Sequence, residues 1–168
     1  MRKWIYFNYM NDLWGYSVGS TVKALKLLGN LSQWEHEVLF EWRRDGVKED
    51  RKPPSEKTLR VQKLKSVLRI FLFTPKELLK NISDYFYEKK RAEAESVNGV
   101  IARLDAFRIS PAFVARRKNL PLVVEADGAN SYEWIYYNGG PHLWNWVVLA
   151  CERFMLQRAD AVFVQSTV

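Results

Sequence analysis

Leu120-Pro121-Leu122-Val123-Val124-Glu125-Ala126-Asp127-Gly128 decides the fold. Its first seven residues are a short, almost continuous apolar run ended by Asp-Gly. That is the pattern of a strand buried on both faces, as in parallel sheets. Two similar runs flank it, Gly99-Val100-Ile101-Ala102-Arg103-Leu104 and Asp160-Ala161-Val162-Phe163-Val164. Between the three lie stretches of helical character. Ser110-Pro111 opens a short helix ending near Lys118, and a longer one runs from Leu143 to Arg158. Strands alternating with helices imply an α/β domain with a mainly parallel sheet covered on both faces, a three-layer Rossmann-like arrangement.

Toward the N-terminus the reading continues. Lys3 to Met10 is aromatic and β-branched and reads as a strand inside the sheet. Asn11 to Gly19 is a loop, and Ser20 or Thr21 caps a helix through Val22, Leu25, Leu28 and Leu31. His36-Glu37-Val38-Leu39-Phe40 is a second strand, expected beside the first, and residues 43–57 read as a polar loop. Two helices follow, one through Leu59 to Leu72 and one from Thr74-Pro75 to Lys89-Lys90-Arg91, with the proline as the break. The 168 residues fit one domain, 48% hydrophobic and so not a disordered chain. No run approaches the roughly 20 apolar residues of a membrane span.

The net charge of +7 is unevenly spread, for residues 43–95 hold fifteen basic and nine acidic side chains. A localised excess fits an anionic surface better than a general polyanion, so no nucleic-acid partner is expected. Lys57, Arg60, Lys63, Lys65 and Arg69 precede Ile70-Phe71-Leu72-Phe73, and the segment closes on Lys89-Lys90-Arg91. Over residues 57–91 this reads either as a face that touches anionic membrane or as a solvated helix whose apolar residues pack on the sheet. The single cysteine, Cys151, reads as a small core residue and fits a reducing, cytoplasmic setting. His36 and His142 have no companions at ligand spacing, and no metal site is expected.

Ligands of open parallel sheets lie outside the carboxyl ends of the strands. Three such places carry suitable residues. The loop after the first strand holds Gly15 and Gly19, followed by Ser20. It reads as an anion-binding turn or as a plain strand-to-helix turn. The second is Glu125, Asp127, Gly128 and Asn130 with Tyr132-Glu133 beyond. Glu125 stands on an apolar strand and requires a partner, either as part of a site or as a structural ion pair or loop-bracing hydrogen bond. Asp127 is the better active-site candidate, against the plainer reading of a turn-forming Asp-Gly. The third is Ser166, placed to touch a ligand or to cap a helix. Ser166 and His142 belong to no Gly-x-Ser-x-Gly elbow. Trp134, Tyr136 and Tyr137 either stack on a sugar or cover the sheet edge.

Three blocks resemble the N-terminal domain of glycosyltransferase family 4, a two-domain GT-B fold. They are the glycine loop and helix leading into Trp34-Glu35-His36-Glu37-Val38; Leu120 to Gly128 running on to Tyr132-Glu133; and Glu152-Arg153-Phe154-Met155-Leu156-Gln157-Arg158-Ala159-Asp160-Ala161-Val162-Phe163-Val164-Gln165-Ser166. Residues 43–98 match nothing specific. The resemblance implies that residues 1–168 are the N-terminal half of a retaining hexosyltransferase, which passes a sugar from a nucleotide-sugar donor to a saccharide or lipid acceptor. It implies no cofactor beyond that donor. Gly19 and its neighbours Gly15 and Ser20 would face the donor diphosphate. Asp127 would stand near the donor sugar, where many members have His or Asn. Glu133, with Glu125, Asn130 and Ser166, would border the substrates. Gly19-Ser20 replaces the family's adjacent glycine pair. The C-terminal donor-binding domain is expected to be missing from the chain, which leaves this piece inactive alone, cytoplasmic and peripheral to the inner face of the membrane. The competing readings are another nucleotide-binding enzyme domain and a non-catalytic Rossmann-like binding or interaction module.

Overall fold

The computed structural model describes residues 2–8, 29–30, 36–42, 56–126, 128, 131–132 and 145–164. Five strands form one all-parallel sheet: β1 (Arg2–Asn8), β2 (His36–Trp42), β3 (Gly99–Arg103), β4 (Leu122–Ala126) and β5 (Ala161–Val164). Their order is β2-β1-β3-β4-β5. Among the described residues, the helices that join them at full length are α1 (Glu56–Ala94), α2 (Ser110–Lys118) and α3 (Asn145–Arg158). The chain is therefore an α/β Rossmann-like domain, and β1 lies between the strands expected beside it. The helix read from Ser20 or Thr21 through Leu31 falls outside the described residues apart from Gly29 and Asn30, which are helical.

Alternation along β1 explains its central place. Ile5 and Phe7 point to one face and Tyr6 and Asn8 to the other, and all four are buried. Ile5, Phe7, Val100, Ala102, Leu122 and Val124 form a continuous apolar face with Val114 and Ala115 of α2, Met155 of α3 and Ala92 of α1. The opposite face begins apolar, with Tyr6 and Ile101 beside Trp4, Val38 and Val123. β5 differs from its neighbours, since every one of its four residues is exposed. Its register on β4 is set at the start, where Asp160 exchanges hydrogen bonds with Leu122: the Leu122 N–H donates to Asp160 Oδ2 at 2.8 Å, and the Asp160 N–H donates to the Leu122 carbonyl at 2.8 Å.

The helix reading needs one correction. Residues 56–94 form a single helix of 39 residues with Pro75 inside it, not two helices broken at Thr74-Pro75. A proline within a helix removes one N–H bond and crowds the carbonyl four residues back, at roughly 3 kcal/mol. Tyr85 and Ala92, seven residues apart, pack against the main core from the helix face that Leu78 begins. Tertiary packing of the partly buried Leu78 and Tyr85 and of the buried Ala92 offsets that local penalty. Pro75 itself is exposed, so its ring meets solvent and not the core.

α2 matches its reading. Pro111 occupies its first turn, where a missing N–H matters least. It stops at Asn119, whose φ of 53° is left-handed, and the Leu120 N–H then bonds the Ala115 carbonyl at 2.9 Å. Cys151 is buried with Val147, Val148 and Phe107, as a core cysteine should be, and burial pushes its thiol up to about 11.

Candidate functional site at the carboxyl edge of the sheet

The face bearing Tyr6 changes character over one residue pair. Register sets Tyr6 beside Ile101 and Ile101 beside Val123. Two residues further along each strand, on the same face, come Asn8, Arg103 and Glu125, with Arg103 directly beside Glu125. An apolar row thus gives way to a polar one where the strands end. Asn8 and Arg103 are the last residues of β1 and β3, the two strands from which successive connections leave in opposite directions. Such a switch point is where open parallel sheets place their ligands.

The polar row is hydrogen-bonded internally. Tyr6 Oη donates to Glu125 Oε2, and Asn8 Nδ2 donates to Tyr6 Oη at 3.3 Å. All three residues have zero exposure, so each bond replaces water that the group has lost. Burial, then the Glu125 charge and hydrogen bond, raise the Tyr6 pKa far above its usual value, while Arg103 pulls it down. Tyr6 therefore stays a protonated donor. Glu125 is an interior acid held from below, and its strand end carries Ala126 into Asp127 and the exposed Gly128.

Of the residues read as catalytic or ligand-contacting, Glu125 is described and buried, and the neighbouring Gly128 and Tyr132 are exposed. Asp127, Gly15, Gly19, Ser20, Asn130, Glu133 and Ser166 lie outside the described residues, as do Trp134, Tyr136 and Tyr137. Near them, Ser131 Oγ donates to Glu152 Oε2 of α3 at 2.7 Å, which ties the segment after β4 to the helix that leads into β5. Among the described residues no group of acids, histidines and cysteine is arranged to hold a metal ion.

A second polar seam locks the loop after β3 to α1. Asn81 Nδ2 donates to the Phe107 carbonyl at 2.8 Å, and its Oδ1 accepts from the N–H groups of Ile109 at 2.8 Å and Ser110 at 3.1 Å. Ser110 Oγ donates to the buried Glu88 at 2.8 Å. Arg108 pairs with Asp84 and lies 3.8 Å from Glu77. Burial raises the Asp105 pKa, and the Ala106 N–H, 2.6 Å from its Oδ1, opposes that. These contacts tie the loop after β3 and the start of α2 to α1.

No protein-family model, curated protein or solved structure matches this chain. Tyr6, Asn8 and Arg103 had not been singled out from the sequence. The signal available for them was the alternation of the two strands, since Tyr6 and Glu125 lie 119 positions apart. Only the register brings them onto one face.

Proposed function

We propose that this domain is the acceptor-side half of a retaining glycosyltransferase of the GT-B kind, using a nucleotide sugar and a saccharide or lipid acceptor. One observation carries the reading: a Rossmann-like parallel sheet has an interior carboxylate, Glu125, on β4 beside the β1/β3 switch point, two residues before Asp127. The resemblance of residues 120–133 and 152–166 to family 4 supplies the chemistry. In this reading Asp127 borders the transferred sugar, and Glu133, Asn130 and Ser166 contact the substrates. Gly15, Gly19 and Ser20 approach the donor diphosphate. Glu125 positions the strand end from within, through Tyr6. The donor nucleotide is held largely by a second domain, and the whole works at the cytoplasmic face of a membrane, peripherally. No described helix is long and apolar enough to cross one.

Saturation-transfer NMR on the chain tests this. The ligands are a panel of nucleoside-diphosphate hexoses and neutral and lipid-linked saccharides. Saccharide signals are expected from at least one acceptor, and Asp127→Ala and Glu133→Gln should each weaken them without changing the circular dichroism. No saccharide or nucleotide-sugar signal across the panel, or signals indifferent to both substitutions, would overturn the reading.

A further inference from the structure

α1 and α2 border an open groove of about 750 Å³. Ile82, Tyr85 and Phe86 line it from α1, and Phe113, Arg116 and Arg117 from α2. Three of its apolar side chains face solvent to an unusual degree: Ile82 is 59% exposed, Phe86 63% and Phe113 42%. Leu79, 65% exposed, extends the stripe on α1 by one turn. Leu79, Ile82 and Phe86 follow helical spacing, and Lys90 stands one turn beyond Phe86 on the same stripe. Apolar side chains gathered in this way mark a contact surface.

Charge narrows the partner. Most described cations near this layer are already engaged. Lys80 pairs with Glu77, Lys89 and Lys118 with Glu93, Arg91 with Glu95, and Arg108 with Asp84. Arg116 and Arg117 have no ion-pair partner among the described residues, and both are exposed beside the exposed phenyl rings. No acid is among the described residues that line the groove. Asn81 does line it, yet its amide is spent on the backbone of residues 107, 109 and 110. The groups left to meet a ligand are aromatic and aliphatic surface and two guanidiniums, whose planar donors suit phosphate oxygens.

We infer that the α1/α2 groove docks on an anionic lipid bilayer, with Ile82, Phe86 and Phe113 entering the acyl boundary while Arg116 and Arg117 hold lipid phosphates. Exposed apolar side chains beside unpaired cations are the combination that binds interfacially, since insertion and charge attraction act together. An acidic protein partner would satisfy the arginines but is less suited to a groove edge whose apolar groups point outward. The inference deepens the membrane-peripheral part of the proposed function and rests on that part alone. It also locates the contact: residues 78–86, within the 57–91 segment, together with residues 113–117 of α2.

Co-sedimentation of the whole chain with vesicles is the test. Vesicles of phosphatidylcholine with about one third phosphatidylglycerol should bind it at low salt. Binding should weaken as salt rises and be absent with phosphatidylcholine alone. Arg116→Gln with Arg117→Gln should lower the partition coefficient roughly thirtyfold, from the attraction of two charges near the surface. Phe86→Ala with Phe113→Ala should lower it by about tenfold or more. Arg2→Gln, at the other end of the sheet, should change it less than twofold, and circular dichroism should show each variant folded. Three results overturn the inference: no binding to anionic vesicles at low salt, binding that ignores both double substitutions, or retention of the chain by soluble polyglutamate and not by vesicles. The vesicles contain no sugar, so their outcome is separate from that of the saccharide titrations.

Discussion

The Tyr6 hydroxyl of β1 donates a hydrogen bond to the Glu125 carboxylate of β4, across the intervening β3. Neither group reaches solvent, so the bond replaces water that both have lost. Tyr6→Phe keeps the ring's packing and removes only the donor. It should cost about 1–3 kcal/mol, the penalty for leaving a buried acceptor unsatisfied, read as a lower urea midpoint at unchanged slope. Glu125→Gln keeps an oxygen acceptor for Tyr6 and should cost less than Glu125→Ala.

Burial of Tyr6, with the Glu125 charge and hydrogen bond added to it, sets a pH dependence. The Tyr6 pKa is raised above its ordinary value of 10.0, so the folded state keeps a proton that the unfolded chain releases near pH 10. Its contribution to stability is complete below that pH and declines as pH rises toward the folded value. Urea titrations from pH 8 to 11 should show stability falling in the upper part of the range, with a shallower fall in Tyr6→Phe. Identical slopes in the two proteins would exclude Tyr6 as the source.

Asn81 offers a second measurement. One amide joins α1 to three backbone groups of the loop after β3, so Asn81→Leu, although similar in volume, strands two N–H donors and a carbonyl. At about 1 kcal/mol for each lost bond, a loss of roughly 2–4 kcal/mol is expected. Hydrogen exchange at Ile109 and Ser110 should accelerate in the variant by more than the global change accounts for.

What was legible beforehand follows from range. Strand and helix types depend on local periodicity, so β1, β3, β4, β5 and α2 stand where their patterns put them. Pro75 misled because its penalty is local whereas the compensating contacts of Leu78, Tyr85 and Ala92 are tertiary. Glu125 was recognisable as a charge that needed a partner, but the partner was not, because pairing through a sheet depends on strand order and register. The groove between α1 and α2 was harder still. Arg116 and Arg117 look like ordinary C-terminal helix cations, and their freedom is visible only once Lys118 is seen to take Glu93.

Cys151 should be slow to react. Its thiol, pushed up to about 11 by burial, holds far less thiolate at pH 8 than an exposed cysteine does. With an ordinary value near 8.5 for comparison, the thiolate fraction alone lowers the alkylation rate on the order of a hundredfold. Iodoacetamide should label the native protein correspondingly slowly and the urea-unfolded protein at the ordinary rate. Fast native labelling would mean that α3 opens from Val147 and Val148 more readily than its packing implies.

Gly99 makes the most specific claim about packing. It begins β3, directly beside Trp4 in the β1 register, and a Cβ placed there would run into the Trp4 six-membered ring. The ring also makes an edge contact with His36 of β2, 6.3 Å between centroids. Gly99→Ala should therefore destabilise by about 1–3 kcal/mol, as overpacked sites do. A gain from reduced chain entropy, at most about 1 kcal/mol, would not offset it. Trp4→Leu removes the obstructing ring and will be destabilising by itself. In the Gly99→Ala background, however, it should cost less than it does alone. A double-mutant cycle measures that difference, and a favourable coupling of about 1 kcal/mol or more is expected between two residues in direct contact. Strict additivity would mean that the Trp4 ring does not lie over Gly99, and the fit of β1 against β3 at the start of the sheet would need another explanation.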